Sequence, residues 1–262
     1  MVNNDKLVSI AMATYNGEKY LREQLDSIYN QTYKNIEVIV CDDCSVDKTV
    51  KILEEYKQKY GLIYYINEKN LGFVKNFEKA ASLCNGEFIA FSDQDDIWLP
   101  EKIETLVNEI CDYSLIHTNS ALINANGEDL NDTLKSRLLR ELGLKQAVNF
   151  KGINKQEALQ GAACLFKKNI ATKAIPFPSE FYHDYWISLV ALKMNGIKYI
   201  DRCLVKYRLH NNNAVGINQE CEYLSRINFF KKYFLTLYKI ARYLYRLINY
   251  IRIQFILKQR GF

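Results

Sequence analysis

A chain of 262 residues with 48% hydrophobic and 25% charged content has the makeup of a folded α/β domain with an appendage, or of two small domains, rather than of a disordered segment. Its seven scattered cysteines are an odd number, which argues against a disulfide framework and for a reducing compartment. The net charge of +5 is uneven: Arg226 to Phe262 holds nine Lys or Arg and no acidic residue, so the remaining chain stands at −4, a poor balance for nucleic-acid binding.

The first half alternates. An apolar strand over Leu7 to Ala13 precedes a helix over Glu18 to Asn30, with Leu21, Leu25 and Ile28 on one face. A β-branched strand, Ile36 to Cys41, leads to a helix over Asp47 to Tyr60 with Asp47 as its expected N-cap. A short strand over Leu62 to Ile66, a helix from Gly72 to Cys84 and a strand over Glu87 to Ser92 follow. Pro100 opens a helix to Ile110, and Tyr113 to Thr118 is another strand. Ala125 to Gln160 is polar with weak periodicity, the pattern of a mobile or partly helical insertion. The second half offers a strand over Ala162 to Phe166, a helix over His183 to Met194 and a strand over Ile197 to Val205. Alternation of this kind predicts a mostly parallel sheet flanked by helices, with ligands bound beyond the carboxyl ends of its strands. The polar clusters obey that rule. Tyr15-Asn16, Asp42-Asp43, Asn67 to Asn70 and Asp93 to Asp96 each follow one of the first four strands and are expected to meet at one edge.

Asp93-Gln94-Asp95-Asp96 packs three carboxylates into four residues, which repel one another unless a cation or proton intervenes. Mg²⁺ or Mn²⁺ uses one or two carboxylates and leaves positions for phosphate oxygens, which suits a diphosphate leaving group. The plainer alternative is a solvated acidic turn; its place after a buried strand favours the metal. Asp42 and Asp43 suit hydrogen bonds to a base or ribose, or simply a turn before a helix. Cys41 and Cys44 form a CxxC, but no second CxxC accompanies it, so zinc and redox roles are disfavoured.

Val8 to Gly17, Val40 to Ser45, Asn70-Leu71-Gly72 and Phe91 to Pro100 together resemble the family 2 glycosyltransferases, inverting enzymes of the GT-A fold, and the Ser-Asp-Gln-Asp-Asp-Ile-Trp wording resembles their rhamnosyltransferase-like subset. The resemblance covers residues 7 to 216 and implies a nucleotide-sugar donor site. Ala13 and Tyr15 would hold the base, Asp43 would bond its N–H, and Asp42 would lie beside the ribose. Asp93 and Asp95 would face the metal and the diphosphate, with Gln94 alongside. Gly72 and Lys75 would serve the donor, although Lys75 also reads as an exposed helical lysine. Cys44 stands where many relatives have Gly or Asn.

Inversion by direct displacement needs one carboxylate to take the proton of the attacking hydroxyl. His183-Asp184-Tyr185-Trp186 resembles the family's motif for that base, which implies Asp184; a simple helix cap is the alternative. Trp98 and His183 would line the acceptor pocket, and Trp186 would line it too or simply pack in the core. Gly161 begins a small-residue segment that would let backbone approach the donor sugar. His210, in Tyr207 to Asn213 after the last strand, would complete the metal site unless it is an ordinary loop residue.

The tail from Arg226 places Lys231, Lys232, Lys239, Arg242, Arg246 and Asn249 on one arc of a helix, with apolar residues elsewhere and no run long enough to span a bilayer. A basic amphipathic helix on an anionic leaflet is expected, bringing a GT-A domain of residues 1–225 to a lipid-linked acceptor; packing on the body or on a second subunit in a homodimer is the alternative. With no secretory signal evident, the expected location is cytoplasmic, at the inner face of the membrane. A nucleotidyltransferase would carry a Gly-rich basic loop after the first strand, where this chain has Ala13 to Gly17; a catalytically silent scaffold would not need Asp93, Asp95, Asp184 and His210 together.

Overall fold

A computed structural model describes residues 6–141, 160–179, 181–211, 213, 256, 258 and 259. The chain separates into two compact units, Met1–Leu209 and His210–Phe262. The basic arc expected from Lys231 to Asn249 lies outside the described residues, as does 142–159 of the polar middle segment.

The first unit is built on a nine-stranded sheet. Its nucleus is β1 (Val8–Thr14), parallel to β2 (Ile36–Asp42) and β4 (Phe88–Ser92), while β3 (Ile63–Ile66) extends β2 in parallel. Helices α1 (Leu21–Tyr29), α2 (Thr49–Tyr60) and α3 (Phe73–Ser82) make the crossovers. Val8, Ile10 and Met12 on β1 are fully buried, each contributing roughly 1.5–3 kcal/mol of transfer free energy. They pack in one apolar cluster with Leu21, Leu25 and Ile28 of α1 and with Ile52, Leu53 and Tyr56 of α2.

The second half adds β5 (Ile97–Trp98), α4 (Lys102–Glu109), β6 (Leu115–Ile123), β8 (Cys164–Lys167), α6 (Lys168–Ala174), α7 (His183–Lys193) and β9 (Ile197–Arg208). The sheet runs β3-β2-β1-β4-β8-β6-β9-β5, with β7 (Asp129–Thr133) paired to β6. Strand β8 is antiparallel to both β4 and β6, so its first residues lie at the carboxyl edge of β4. Strand β9 is parallel to β6 and therefore ends at that same edge.

Three expectations shift. The described part of the polar segment forms β7 and the helix α5 (Leu134–Glu141): the partly helical alternative holds there, and the strand was not expected. Strand β9 runs through Tyr207 and Arg208, which places them in the sheet rather than in the loop after it. Asp47 lies one residue before the N-cap of α2, yet its Oδ1 accepts the Thr49 amide at 2.9 Å, the capping service expected of it.

Candidate functional site

The carboxyl edge of the sheet gathers the four polar clusters, and hydrogen bonds tie them together. Gln94 grips the main chain of Tyr15 from both sides: its Oε1 accepts the Tyr15 amide at 2.8 Å, and its Nε2 donates to the Tyr15 carbonyl at 3.0 Å. The Asn16 amide donates to Ser45 Oγ at 2.8 Å. Asp43 accepts from Asn67 Nδ2 and from the amides of Leu71 and Gly72 at 2.7–2.9 Å, which fixes the loop from the third cluster into α3. Asp42 accepts from Thr14 Oγ1 and from the amide and hydroxyl of Ser45. Both carboxylates are buried, so each organises the floor of this edge through internal bonds. At the same edge Tyr15 is half exposed and Ala13 partly exposed.

Asp93 and Asp96 share a crowded environment. Burial, reinforced by the charges of Asp95 and Asp184, pushes the Asp93 carboxyl up to about 8. Asp96 is raised for the same first reason, then by Asp95 and Asp93, although its Oδ1 accepts the Arg208 amide at 3.1 Å. The cation that faces both is Lys102, fully buried and 3.1 Å from the centre of the Trp98 ring, whose own pKa burial drives well down. Carboxylates held this way take a cation readily, because charge between them relieves the repulsion. Among the described residues no group of three or more His, Cys, Asp or Glu closes round an ion unaided. Asp93 and Asp95 could hold Mg²⁺ or Mn²⁺ only with further positions filled by other oxygens, such as those of a phosphate. His210 belongs to the second unit, where its amide donates to Asn213 Oδ1 at 2.7 Å.

Asp184 lies in the first turn of α7, and its charge adds to the upward push on Asp93. Its Oδ2 accepts the Gly161 amide at 3.2 Å and its Oδ1 accepts the Tyr185 amide at 2.7 Å. A Cβ on Gly161 would fall 3.0 Å from His183 Nε2 and 3.3 Å from Asp184 Cβ, so this position is small because the α7 N-terminus presses on it. Tyr207 was missed by sequence reasoning. Burial raises its phenol above the ordinary range, and the charges of Asp96, Asp93, Asp95 and Asp184 add to that rise.

The expected acceptor contacts are corrected. His183 is buried in a cage of rings, stacked on Phe77 with centroids 4.0 Å apart and edge-on to Phe91 and Phe73. Trp186 is fully buried and spends its indole N–H on the Ala174 carbonyl. Trp98 is buried against Lys102. All three shape the walls from inside the core, because an acceptor sugar cannot stack on a ring without solvent access. Lys75 spends its ammonium on Glu78 at 2.8 Å and on the Phe177 carbonyl at 2.7 Å, so it braces α3 against the segment before α7. Gly72 is exposed with φ +77°, a left-handed turn that lets its amide reach Asp43.

An α/β sheet of this order, with an acidic loop after β4 and a carboxylate at the head of α7, has the architecture of the GT-A class. Residues 9–173 match the model of glycosyl transferase family 2, and the chain belongs to that family. It is 32% identical over 215 residues to the UDP-Glc:alpha-D-GlcNAc-diphosphoundecaprenol beta-1,3-glucosyltransferase WfgD of Escherichia coli, covering 80% of each chain. It is 33% identical over 223 residues to the dTDP-rhamnosyl transferase RfbG of Shigella flexneri, covering 79% of this chain and 74% of that one. Among solved structures, S. aureus TarS 1-349 in complex with UDP-GlcNAc superposes with a TM-score of 0.63 at 23% identity, over 85% of this chain and 65% of that one; the likeness is one of fold. The protein is a glycosyltransferase that uses a nucleotide-sugar donor.

Proposed function

We propose that this protein transfers a hexose or deoxyhexose, with rhamnose one candidate, from a UDP- or dTDP-sugar to a hydroxyl of a surface polysaccharide or lipid-linked glycan, with inversion. The observation that supports the reading is geometric: the adjacent residues Gln160 and Gly161 donate to Asp96 Oδ2 at 3.4 Å and to Asp184 Oδ2 at 3.2 Å, so the acidic loop and the head of α7 meet at one edge. A bound Mg²⁺ or Mn²⁺ would neutralise the charge that develops on the departing diphosphate. The base and ribose rest on the floor that Asp42 and Asp43 organise, under Tyr15. Asp184 accepts the proton of the acceptor hydroxyl as that oxygen bonds the anomeric carbon. The bond from that carbon to the diphosphate breaks on the opposite face, and the configuration inverts. The names of the two curated relatives support UDP and dTDP donors about equally, and the undecaprenol diphosphate in one of them supports a lipid-linked acceptor.

No helix among the described residues is long and apolar enough to cross a membrane. Peripheral attachment to the inner leaflet through the basic segment from Arg226 rests on the charge pattern of the sequence. The deciding experiment is a panel of nucleotide sugars titrated against the purified chain with and without Mn²⁺, read as binding and as slow donor hydrolysis. Saturable, Mn²⁺-enhanced binding of a UDP- or dTDP-sugar is expected; failure of every donor to bind would overturn the reading.

A further inference from the structure

The acidic loop is anchored from the far end of the sheet. Arg208, the last residue of β9, is buried to 1% exposure, unusual for a guanidinium. Its Nε–H donates to the carbonyl of Asp95 at 2.8 Å, and its own amide donates to Asp96 Oδ1 at 3.1 Å. One side chain and one amide thus hold two successive residues of the loop. The outer end of the fork is paired with Glu23 of α1, while the guanidinium carbon lies 4.6 Å from the centre of the Tyr20 ring, just before that helix. On the other side of the loop, Gln94 holds both main-chain polar groups of Tyr15. The acidic loop is therefore clamped at two points to the segment running from β1 into α1.

We propose that Arg208, braced by Glu23, is a positioning residue that fixes the Asp93–Asp96 loop relative to the nucleotide-binding segment, so that metal and nucleotide bind as one unit. This rests on the metal-diphosphate reading of the loop. The physical reason is pre-organisation. Three close carboxylates spread apart unless their main chain is held, and a loop already in place loses less conformational freedom when an ion and a diphosphate arrive. A planar fork donating in two directions suits that task, and lysine, a single point charge, reproduces only part of it.

The test titrates UDP and dTDP into wild type, Arg208→Lys, Arg208→Gln and Glu23→Gln by calorimetry, with and without Mn²⁺. The gain in affinity that Mn²⁺ confers is expected to fall about tenfold or more in Arg208→Gln, less in Arg208→Lys, and about threefold in Glu23→Gln, while metal-free affinity stays within about twofold of wild type. An unchanged Mn²⁺ gain in all variants overturns the proposal. So does a parallel loss of metal-free and metal-dependent affinity, which is what general loosening of the fold produces. If Arg208→Gln does not fold, Glu23→Gln decides alone, because the Glu23 side chain is half exposed and its loss is tolerable. A wild type with no Mn²⁺ gain sinks the metal-diphosphate reading and this proposal with it; a wild-type gain untouched by the variants sinks only the role of Arg208.

Discussion

The main-chain N–H of Gly161 donates to Oδ2 of Asp184 at 3.2 Å, so the carboxylate proposed as base takes its direction from a residue 23 positions earlier in the chain. A methyl at Gly161 would meet His183 Nε2 at 3.0 Å, and His183 is wedged between Phe77, Phe91 and Phe73 with little room to retreat. The strain falls on Asp184. Gly161→Ala is expected to lower kcat by roughly 10- to 100-fold, the scale of a displacement of about 1 Å at a reacting group. Asp184→Asn, which keeps the shape and removes the base, should cost roughly 10²- to 10⁴-fold in kcat. Steady-state kinetics beside nucleotide titration checks both, with nucleotide affinity expected within about twofold of wild type. A kcat near wild type in Asp184→Asn would remove it as the base.

Gln94 makes a separate prediction, because the role proposed for it is in nucleotide binding and not in the chemical step. Its amide satisfies the N–H and the C=O of Tyr15 at once, and Gly17 lies so close that a Cβ there would meet Gln94 Oε1 at 2.3 Å. Gln94→Ala frees the Tyr15 segment and leaves Asp184 untouched. Donor KM is expected to rise about tenfold, with kcat reduced less than threefold. A change confined to kcat would place Gln94 at the reacting centre instead.

The sheet edge was legible because three signals coincide there: apolar strands, polar clusters directly after them, and a fixed rule for where ligands sit on such a sheet. Asp93 to Asp96 stood out by their place after a buried strand, and Asp184 through a resemblance to a family motif; the roles given to them are proposals. Tyr207 and Arg208 did not stand out. A Tyr-Arg pair at the end of a strand carries no periodicity, and the partners of Arg208, Glu23 and Asp95, are 185 and 113 residues away. The burial of His183, Trp98 and Trp186 was not legible for one reason. An aromatic ring beside a catalytic motif serves equally as wall or as surface, and the tertiary packing decides between them: α7 against α3 and α6 for His183 and Trp186, and β5 against α1 and β9 for Trp98. Lys75 misled for a similar reason, since its partner Phe177 approaches only through the tertiary fold.

Cys44 stands where the family resemblance leads one to expect Gly or Asn, and the backbone shows the consequence. Its φ is +66°, the left-handed region, which costs a residue with a Cβ roughly 1–2 kcal/mol. The thiol recovers part of that by donating to the Asn67 carbonyl at 3.0 Å. Asparagine tolerates this conformation, so Cys44→Asn is expected to stabilise the fold by about 0.5–1 kcal/mol, read as a higher midpoint in urea with an unchanged slope. Destabilisation would mean that the sulfur contact outweighs the strain.

Acid should weaken the fold through His117. It lies fully buried in β6 with its ring 4.9 Å from that of Tyr199, which also faces Asp201 and Lys135. Burial pushes its pKa down to about 4, against a smaller opposing pull from the Thr118 main chain. The imidazole is therefore neutral in the fold and becomes protonated in the unfolded chain below about 6.5. Between those two values the unfolded state binds the extra proton, so stability is intact above about pH 6.5 and is lost as pH falls toward 4. The full loss from this one group is on the order of 3 kcal/mol, because each tenfold weakening of proton affinity is worth about 1.4 kcal/mol. Urea unfolding at pH 7, 6, 5 and 4.5 should show a steeper decline for wild type than for His117→Phe, which cannot take up a proton. Carboxylates titrate in both proteins at the lower values, so the difference between the two curves isolates the imidazole; parallel curves would mean that His117 stays uncharged in both states or is solvated in the fold.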